Sequence, residues 1–223
     1  MFGKYPGRII IIGRSSDDLH DIIAYGLTGR SPSSQARELE QKDSDFFVKP
    51  TSDAINDGDP ELLIYPCILF GEGGVAVSNG KQTTTVRECL SEIDPINVLK
   101  KAHGQSMYEH DEPIYTPRIS GCITKRGAAL AIIKKASDGS TIRAYYNIPL
   151  ATGKGKMISS YNGENTDPVP SFEGEPRNII IGKQNPEELA KQIYNELGEF
   201  KIAVVALFQN IKTREIKTFI KQR

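Results

Sequence analysis

The chain has no excess of charge of either sign. Its 223 residues include 28 lysines and arginines and 28 aspartates and glutamates, so the formal net charge is 28 − 28 = 0. Proteins that bind nucleic acid or an anionic membrane through their overall electric field carry a marked positive balance. The composition therefore does not favour nucleic acid or a membrane surface as a partner, and any anion-binding site must be local.

Cysteine is also scarce, and its three copies form no CxxC pair. Cys67, Cys89 and Cys122 would leave one residue over in any disulfide scheme. This predicts reduced thiols in a reducing compartment, where cysteine acts as a small buried apolar residue. The three histidines are scattered, and their spacing assembles no Ser-His-Asp or Cys-His arrangement.

Long apolar runs are missing as well. The runs at 9–12 and 202–208 have the length of strands and are far too short to cross a bilayer. The first six residues lead directly into an apolar run, without the extended apolar segment and small-residue cleavage site of a secretory signal. We therefore expect a cytosolic protein without a membrane span.

The apolar runs that are present have the length and composition of strands. We predict strands over 8–13, 21–28, 61–70, 74–78, 118–124, 128–135, 141–147, 156–161, 201–209 and 214–221. Helices are predicted over 83–93, from Asp94-Pro95 onward, and after Asn185, where Pro186 and Glu188 complete a capping box. Strands that are apolar on both faces belong between two layers. The sequence predicts one α+β domain over 1–223, in which two sheets face each other and helices cover the outsides.

A polar loop at 25–37 holds two arginines, three serines and two glycines. Arginine presents a planar fork of donors to phosphate oxygens, while glycine and serine let other donors approach the same anion. The loop therefore favours a phosphate-bearing ligand. A polar surface turn beside a strand would have the same composition, and this remains the alternative.

The segment 109–118 combines three carboxylates, a histidine and Arg118. Histidine and carboxylates bind metals, but there is no HExxH spacing or second nearby histidine to define a site. A solvated acidic turn is the alternative. Arg118 stands at the start of an apolar run, and a buried arginine there would need an anionic partner.

Three other features have simple structural interpretations. Asn79-Gly80 is typical of a two-residue hairpin turn, and Tyr65 of a core aromatic whose neighbour Pro66 indicates an edge strand or a bulge. The run 153–156, Gly-Lys-Gly-Lys, lacks the spacing of a Walker A loop. It indicates a basic hairpin turn, with a secondary role near an anion left open.

Several short motifs follow one another in order: Gly7-Arg8, Tyr25, the run 29–37, Val77-Ser-Asn-Gly80, Thr116-Pro-Arg-Ile119 and Ile158-Ser-Ser-Tyr-Asn-Gly163. Over about residues 7–180 this series resembles the archaeal-type IMP cyclohydrolase family. The resemblance implies a four-layer αββα sandwich similar to N-terminal nucleophile hydrolases, without their self-processed nucleophile. The start of this chain, Met1-Phe2-Gly3, agrees with that absence.

The resemblance implies an enzyme of purine biosynthesis that closes the ring of 5-formamidoimidazole-4-carboxamide ribotide to give IMP and water. The carboxamide nitrogen attacks the formyl carbon, so the site must orient both groups, stabilise an oxyanion and move protons. Orientation contributes up to about 7–11 kcal/mol, and one oxyanion donor about 3–4 kcal/mol. The implied partner is a purine ribotide monophosphate, and neither a metal nor a redox cofactor is implied.

The resemblance also implies roles for individual residues. Arg30 and Arg118 would face the substrate's charge, Tyr65 and Asn79 would orient the base or the formyl oxygen, and Glu112 would carry protons. Partial burial could tune the Glu112 carboxylate towards neutral pH. The candidate catalytic residues are Arg30, Tyr65, Glu112 and Arg118, and the candidate substrate-binding residues are Tyr25, Ser31, Ser33, Arg37, Asn79 and Thr116.

The chain departs from the family pattern at two places. The family usually has asparagine where this chain has Pro66, and again shortly before Thr-Pro-Arg-Ile, where it has Ile114-Tyr115. Two alternatives therefore stay open: a purine-ribotide binding module on the same fold with impaired catalysis, and an amide hydrolase, which the lack of a recognisable nucleophile disfavours. A sheet edge at 214–221, with Lys217 and Lys221, is protected either by charge or by a partner subunit of a homo-oligomer.

Overall fold

Two antiparallel sheets dominate the computed structural model, which describes residues 2–51 and 64–223. One sheet has six strands, in the order β11-β10-β1-β2-β12-β13. These are β1 (Arg8–Arg14), β2 (His20–Thr28), β10 (Lys154–Ser159), β11 (Arg177–Ile180), β12 (Lys201–Asn210) and β13 (Ile216–Gln222). The other sheet has seven strands in sequence order: β3 (Arg37–Lys42), β4 (Asp45–Pro50), β5 (Tyr65–Gly71), β6 (Gly74–Ser78), β7 (Arg118–Thr124), β8 (Gly127–Lys135) and β9 (Thr141–Ile148).

Four helices accompany the sheets in the described part of the chain: α1 (Pro32–Gln35), α2 (Gln82–Glu88), α3 (Pro95–His103) and α4 (Pro186–Glu196). The largest core lies between the sheets, where Ile10 and Tyr25 of one meet Val75 and Ile119 of the other. Leu189 and Ile193 pack α4 against the opposite face of the six-stranded sheet. Val86 of α2 and Leu99 of α3 pack in the same way on the seven-stranded sheet. The predicted α+β class with two sheets is confirmed.

The helix starts follow from the predicted caps. Asn185 accepts a hydrogen bond from the Glu188 amide at 2.9 Å, and the Glu188 carboxylate accepts one from the Asn185 amide at 3.0 Å. Asp94 accepts from the Asn97 amide at 2.9 Å. The prediction for 83–93 is wrong over its last turn, because α2 ends at Glu88. Beyond Glu88 the Leu90 carbonyl packs against Gly73. A Cβ added at Gly73 would lie 1.9 Å from the Leu90 carbonyl oxygen, so this contact requires a glycine.

Three strands were not predicted: β3, β4 and β11. In β3 only Leu39 is apolar, and Arg37 shares its buried face while Glu38 and Glu40 alternate with them. Period-two apolar patterning is weak in such a strand because a buried arginine reads as polar. Of the strand predicted over 61–70, residues 61–63 lie outside the described residues.

Two local predictions near the strand ends have opposite outcomes. Pro66 sits beside a register shift between Phe46 and Phe47, so the predicted bulge is confirmed. The hairpin at Asn79-Gly80 is wrong, because β6 leads from there into α2 and β6 pairs with β5 and β7 instead.

The cysteines lie in the core, as predicted. All three are unpaired and buried. Burial raises the pKa of the Cys122 thiol to about 12, and it raises the pKa of Cys67 further. These side chains therefore act as neutral packing groups. Among the described residues, no helix has the length and apolar character needed to span a membrane.

Gly7 tests how tightly the start of β1 is packed. Its φ is +74°, and an added Cβ would lie 2.6 Å from the Tyr161 ring. Gly139 is a matched control, since its φ is +84° but no atom lies within 4 Å of its Cβ position. We expect Gly139→Ala to lower the free energy of unfolding by about 1–2 kcal/mol from backbone strain alone. Gly7→Ala should lower it by about 1–3 kcal/mol more because of overpacking. Urea unfolding measures both, and equal losses would contradict the close contact.

Candidate functional site

Antiparallel pairing brings strand ends from both sheets to one mouth of the space between them. In the six-stranded sheet β1 begins, and β2 and β10 end, at this mouth; in the other, β5 and β7 begin there and β6 ends there. Side-chain hydrogen bonds cross between the sheets at this point. Arg8 Nε donates to Tyr65 Oη at 3.4 Å, and Asn79 Nδ2 donates to Ser160 Oγ at 3.3 Å. We call this region the inter-sheet site.

A pair of tyrosine hydroxyls lies at its centre. Tyr25 Oη and Tyr65 Oη are 2.9 Å apart and both rings are buried. Arg8 also donates from Nη1 to the Thr28 carbonyl at 3.2 Å, which holds its guanidinium beside the pair. Burial, reinforced by the neighbouring Tyr65, raises the pKa of Tyr25 well above its usual range. Tyr25 therefore stays protonated at neutral pH and acts as a hydrogen-bonding group.

Arg37 is a buried cation that forms no ion pair with any of the described residues. It is 3% exposed, and Nε donates to the Ser34 carbonyl at 3.0 Å. Its Nη2 has no hydrogen-bond partner in the described part of the chain. Burial and the nearby charge of Arg8 lower the pKa of Arg37 to about 10, so it remains charged at neutral pH. Since an unpaired buried charge is strongly unfavourable, these two guanidiniums are suited to an anionic ligand.

Glu109 and Arg118 form an ion pair at the edge of the same mouth. Arg118 Nη1 lies 2.7 Å from Glu109 Oε1, and Arg118 Nε donates to the Met107 carbonyl at 2.8 Å. The Glu109 side chain is only 14% exposed. Burial raises its pKa, and the charges of Arg118 and Arg8 only partly offset this. Glu109 is thus a shielded carboxylate that binds a proton more readily than a free one.

Glu112, in contrast, is exposed on the outside of the 109–118 segment, where it accepts a hydrogen bond from the Tyr115 hydroxyl. The expected partial burial of Glu112 is therefore wrong. The segment turns so that Asp111 points the other way and accepts from the Thr116 amide and hydroxyl at 2.6 and 2.5 Å. Thr116 Oγ1 in turn lies 2.8 Å from Tyr161 Oη. Of the carboxylates in this segment, Asp111 and Glu109 are engaged inward.

Arg30 lies at the rim. Its Nη1 donates to the Thr166 carbonyl at 2.8 Å and to Asn165 Oδ1 at 3.2 Å, and its guanidinium lies 5.0 Å from the centre of the Tyr5 ring. Ser31 caps α1 by accepting from the Ser34 amide at 3.1 Å, and its hydroxyl is 3.2 Å from that of Ser33. These three predicted residues form an outer edge rather than the centre of the site.

Asn79 joins the two sheets with its side chain. Nδ2 donates to the Pro117 carbonyl at 2.9 Å in addition to Ser160, while Oδ1 accepts from Gln82 Nε2 at 2.9 Å and from the Ile119 amide at 2.8 Å. Its polar atoms are therefore already engaged within the protein. Asn79 therefore shapes the mouth. These contacts bury its side chain, and it does not form the predicted hairpin turn.

The structure thus separates the predicted residues into three groups. Tyr25, Arg37, Tyr65, Asn79, Thr116 and Arg118 line or support the inter-sheet site, Arg30, Ser31 and Ser33 form its rim, and Glu112 faces outward. The glycine and lysine run at 153–156 lies at the opposite end of β10, where Lys156 pairs with Ile12, so it is remote from this site. Sequence reasoning gave no role to Arg8 or Glu109. The signal for Arg8 was available, because it follows a glycine and opens an otherwise apolar strand.

His103 lies behind Arg118 at the end of α3. It is 1% exposed, its ring stacks on Tyr145 at a centroid distance of 6.4 Å, and neither ring nitrogen has a partner among the described residues. Burial, together with the charges of Arg143 and Arg118, lowers the pKa of His103 to about 4. The ring is therefore neutral at pH 7 and supports the site by packing.

A mouth that combines buried guanidiniums, tyrosine hydroxyls and a shielded carboxylate has the chemistry that suits an anionic, hydrogen-bonding small molecule. Residues 5–215 match the family model described as IMP cyclohydrolase-like protein. Since that match covers most of the chain, the protein belongs to the IMP cyclohydrolase-like family.

Curated relatives from archaea agree. The chain is 30% identical over 182 residues to a protein of Methanothrix thermoacetophila named IMP cyclohydrolase, covering 79% of this chain and 83% of the relative. It is 27% identical over 193 residues to a Natronomonas pharaonis protein of the same name, covering 86% and 85%. A Methanocella arvoryzae protein, also named IMP cyclohydrolase, is 23% identical over 206 residues, covering 92% of each chain.

The buried His103 predicts a pH dependence of stability. Its folded pKa of about 4 lies below the usual 6.5, so the unfolded chain takes up the proton first as the pH falls. The free energy of unfolding should therefore fall by up to about 3 kcal/mol between pH 6.5 and 4 on account of this group. His103→Leu should remove that part of the pH dependence, and the exposed His110→Leu should retain it. Identical urea-unfolding profiles for the two variants would contradict the assignment.

Proposed function

We propose that this protein is an IMP cyclohydrolase, which closes the purine ring of 5-formamidoimidazole-4-carboxamide ribotide with loss of water. Family membership and the shared name of its curated relatives support this reaction. The observation that carries the proposal is the pair of guanidiniums, Arg8 and Arg37, facing the inter-sheet site without a carboxylate partner among the described residues. A ribotide monophosphate supplies the missing negative charge.

The phosphate binds at Arg37 and Arg8 in this proposal. Arginine matches phosphate oxygens with a fork of donors, and a charge-assisted hydrogen bond is stronger in a shielded site. Arg37 Nη2 is a donor with no competing partner in the described chain, so binding a phosphate there breaks no existing hydrogen bond of that atom. Arg30, Ser31 and Ser33 complete the rim around the ligand, and Arg30 anchors the 165–166 segment beside it.

The reaction requires a bond from the carboxamide nitrogen to the formyl carbon and loss of the formyl oxygen as water. The two protons of that water come from the carboxamide and formamido nitrogens. The Tyr25 and Tyr65 hydroxyls orient the reacting groups by hydrogen bonding, and Arg118 stabilises the developing oxyanion. Glu109 carries the protons, because it lies beside Arg118 at the mouth and burial raises its pKa above the usual value, so that it accepts a proton more readily than a free carboxylate. Thr116 and Asn79 hold the walls in place.

We also propose the domain organisation and the fold class of the whole protein. The chain is one domain over 1–223, and its paired sheets form a four-layer αββα sandwich similar to N-terminal nucleophile hydrolases, without a processed nucleophile. Support for this comes from the core shared by both sheets and from the family match over 5–215. The enzyme works in the cytoplasm as part of purine biosynthesis.

The decisive experiment incubates the purified protein with the formamido ribotide and follows IMP formation by absorbance. Turnover supports the enzyme. Tight binding without turnover would instead indicate a ribotide-binding module, and the absence of both would contradict the proposal.

Glu109 and Glu112 form a matched pair for testing proton transfer. Glu109→Gln should lower kcat roughly 100-fold, because the amide keeps the shape but cannot exchange a proton. Glu112→Gln should stay within about twofold, as expected for a surface substitution. Steady-state rates of IMP formation measure both, and a larger loss in Glu112→Gln would return the role to that residue.

Arg37 predicts opposite effects on binding and stability. Arg37→Met removes charge-assisted hydrogen bonds to the phosphate and should raise KM roughly 10- to 100-fold. It also removes an unpaired buried cation, so the free energy of unfolding should stay unchanged or rise. Arg87→Met, at a partly exposed arginine 3.9 Å from Asp45, is the control and should alter neither quantity appreciably. A large loss of stability in Arg37→Met would show that the residue is structural.

A further inference from the structure

A second concave region lies at the opposite end of the space between the sheets. It is a cavity of about 470 Å³, and we call it the far-end cavity. Its walls come from the ends of β1, β7 and β9, the starts of β2 and β8, and the turn after β12. The charged and amide side chains of its lining are those of Arg14, Asp21, Lys125, Arg126, Asn147 and Arg214. A volume of this size is within the roughly 300–1,000 Å³ range of small-molecule sites.

Positive charge dominates this cavity locally, although the chain as a whole is neutral. Asp21 is the carboxylate of the lining, and it is paired with Arg14 at 2.9 Å, while the other side of Arg14 reaches Asp18 at 3.1 Å. Lys125 and Arg126 have no carboxylate partner within the described ranges 2–51 and 64–223. Arg214 forms no ion pair there, but its charge partly offsets the effect of burial, which raises the pKa of Asp21. Glu215, the neighbour of Arg214, lies 3.8 Å from Lys217. Lys125 and Arg126 therefore lack a counter-charge in the described chain, and Arg214 shares Asp21 with Arg14.

A buried polar side chain also points to this end. Gln209 stands directly opposite Asp21 in the pairing of β12 with β2, so the two side chains share the face that turns towards the other sheet. Gln209 is 5% exposed, and its Oε1 has no hydrogen-bond partner among the described residues. Buried polar atoms without partners are rare, and each one calls for an explanation such as a bound ligand or water.

We propose that the far-end cavity binds a small phosphate-bearing molecule at Lys125, Arg126 and Arg214, as a site separate from the inter-sheet site. Three cations from two different turns converge on it, which suits a phosphate group with two or more negative charges. Asn147 of the lining provides a neutral hydrogen-bonding group for the rest of the molecule, and the unpartnered Gln209 amide oxygen lies next to the lining, opposite Asp21. The two sites lie at opposite ends of the same strands, so one ligand does not occupy both. This inference does not depend on the proposed reaction.

Isothermal titration with inorganic pyrophosphate and with AMP, at low ionic strength, tests the proposal on the full chain. We expect wild type to bind at least one of them, and Arg126→Ala/Arg214→Ala to bind it roughly tenfold or more weakly, since each lost charged hydrogen bond removes substantial affinity. Lys42→Ala/Lys217→Ala removes the same net charge at exposed positions away from the cavity and should bind as wild type does. Tighter binding of AMP would assign the ligand to nucleotides, and tighter binding of pyrophosphate to a simpler phosphate.

Arg37→Met separates this site from the other one, because it weakens anion binding at the inter-sheet site only. Anion binding that survives in Arg37→Met but is lost in Arg126→Ala/Arg214→Ala supports the far-end cavity. The reverse pattern would place the anion at the inter-sheet site and overturn the proposal, as would equal weakening in the lysine control or no binding to wild type. Unchanged thermal unfolding of the surface variants excludes loss of folding as the cause.

Discussion

The buried guanidinium of Arg37 is the constraint around which the inter-sheet site is organised. A cation that is 3% exposed loses most of its hydration, and here no carboxylate of the described chain replaces it. The structure tolerates this because the Ser34 carbonyl takes one donor and the tyrosine hydroxyls lie nearby. A buried positive charge therefore lies uncompensated at the mouth between the two sheets. An anionic ligand that binds there would neutralise this charge, and the favourable interaction would contribute to its affinity.

Hydrogen bonds within the protein hold the walls of the mouth in place, which restricts the ligands that fit. Asn79 links the end of β6 to β7, to α2 and to Ser160 of the other sheet, so the two halves of the mouth are held at one separation. Thr116 joins Asp111 to Tyr161 on the opposite side. With its polar groups already oriented, the site loses little conformational entropy when a ligand binds. Positions that look like recognition residues thus act partly by shaping the site.

The two departures from the family pattern, Pro66 and Ile114, both contribute to the structure around the site. Pro66 lies at a bulge in β5, and its carbonyl accepts a hydrogen bond from Thr83 at 2.6 Å, which ties α2 to the strand that carries Tyr65. Ile114 packs against the cluster of Tyr5, Tyr161 and Val169. Both positions therefore contribute backbone anchoring or apolar packing close to the site. Neither disrupts the hydroxyl pair or the guanidinium pair.

Local sequence patterns predicted many of the helices and strands, but they did not show which candidate site residues are buried and which are exposed. Caps at Asp94 and Asn185 and the long apolar strands were readable because they depend on neighbouring residues alone. The choice between Glu109 and Glu112 was not, since both are carboxylates on one turn and only the fold decides which is shielded. The burial of Arg37 in β3 was hidden for the same reason, because its neighbours Arg8, Tyr25 and Tyr65 belong to strands that are distant in the sequence.

The amino-acid sequence by itself determined the secondary-structure class, the family, and the set of arginines, tyrosines and carboxylates from which a ribotide site could be built. The tertiary structure decided which of them meet. Antiparallel pairing in two facing sheets places the starts of β1, β5 and β7 at one mouth, although they are separated by dozens of residues in the chain. It also gathers the cations Lys125, Arg126 and Arg214 around the far-end cavity. Burial and distance are properties of packing between remote segments, and these set charge states and ligand contacts.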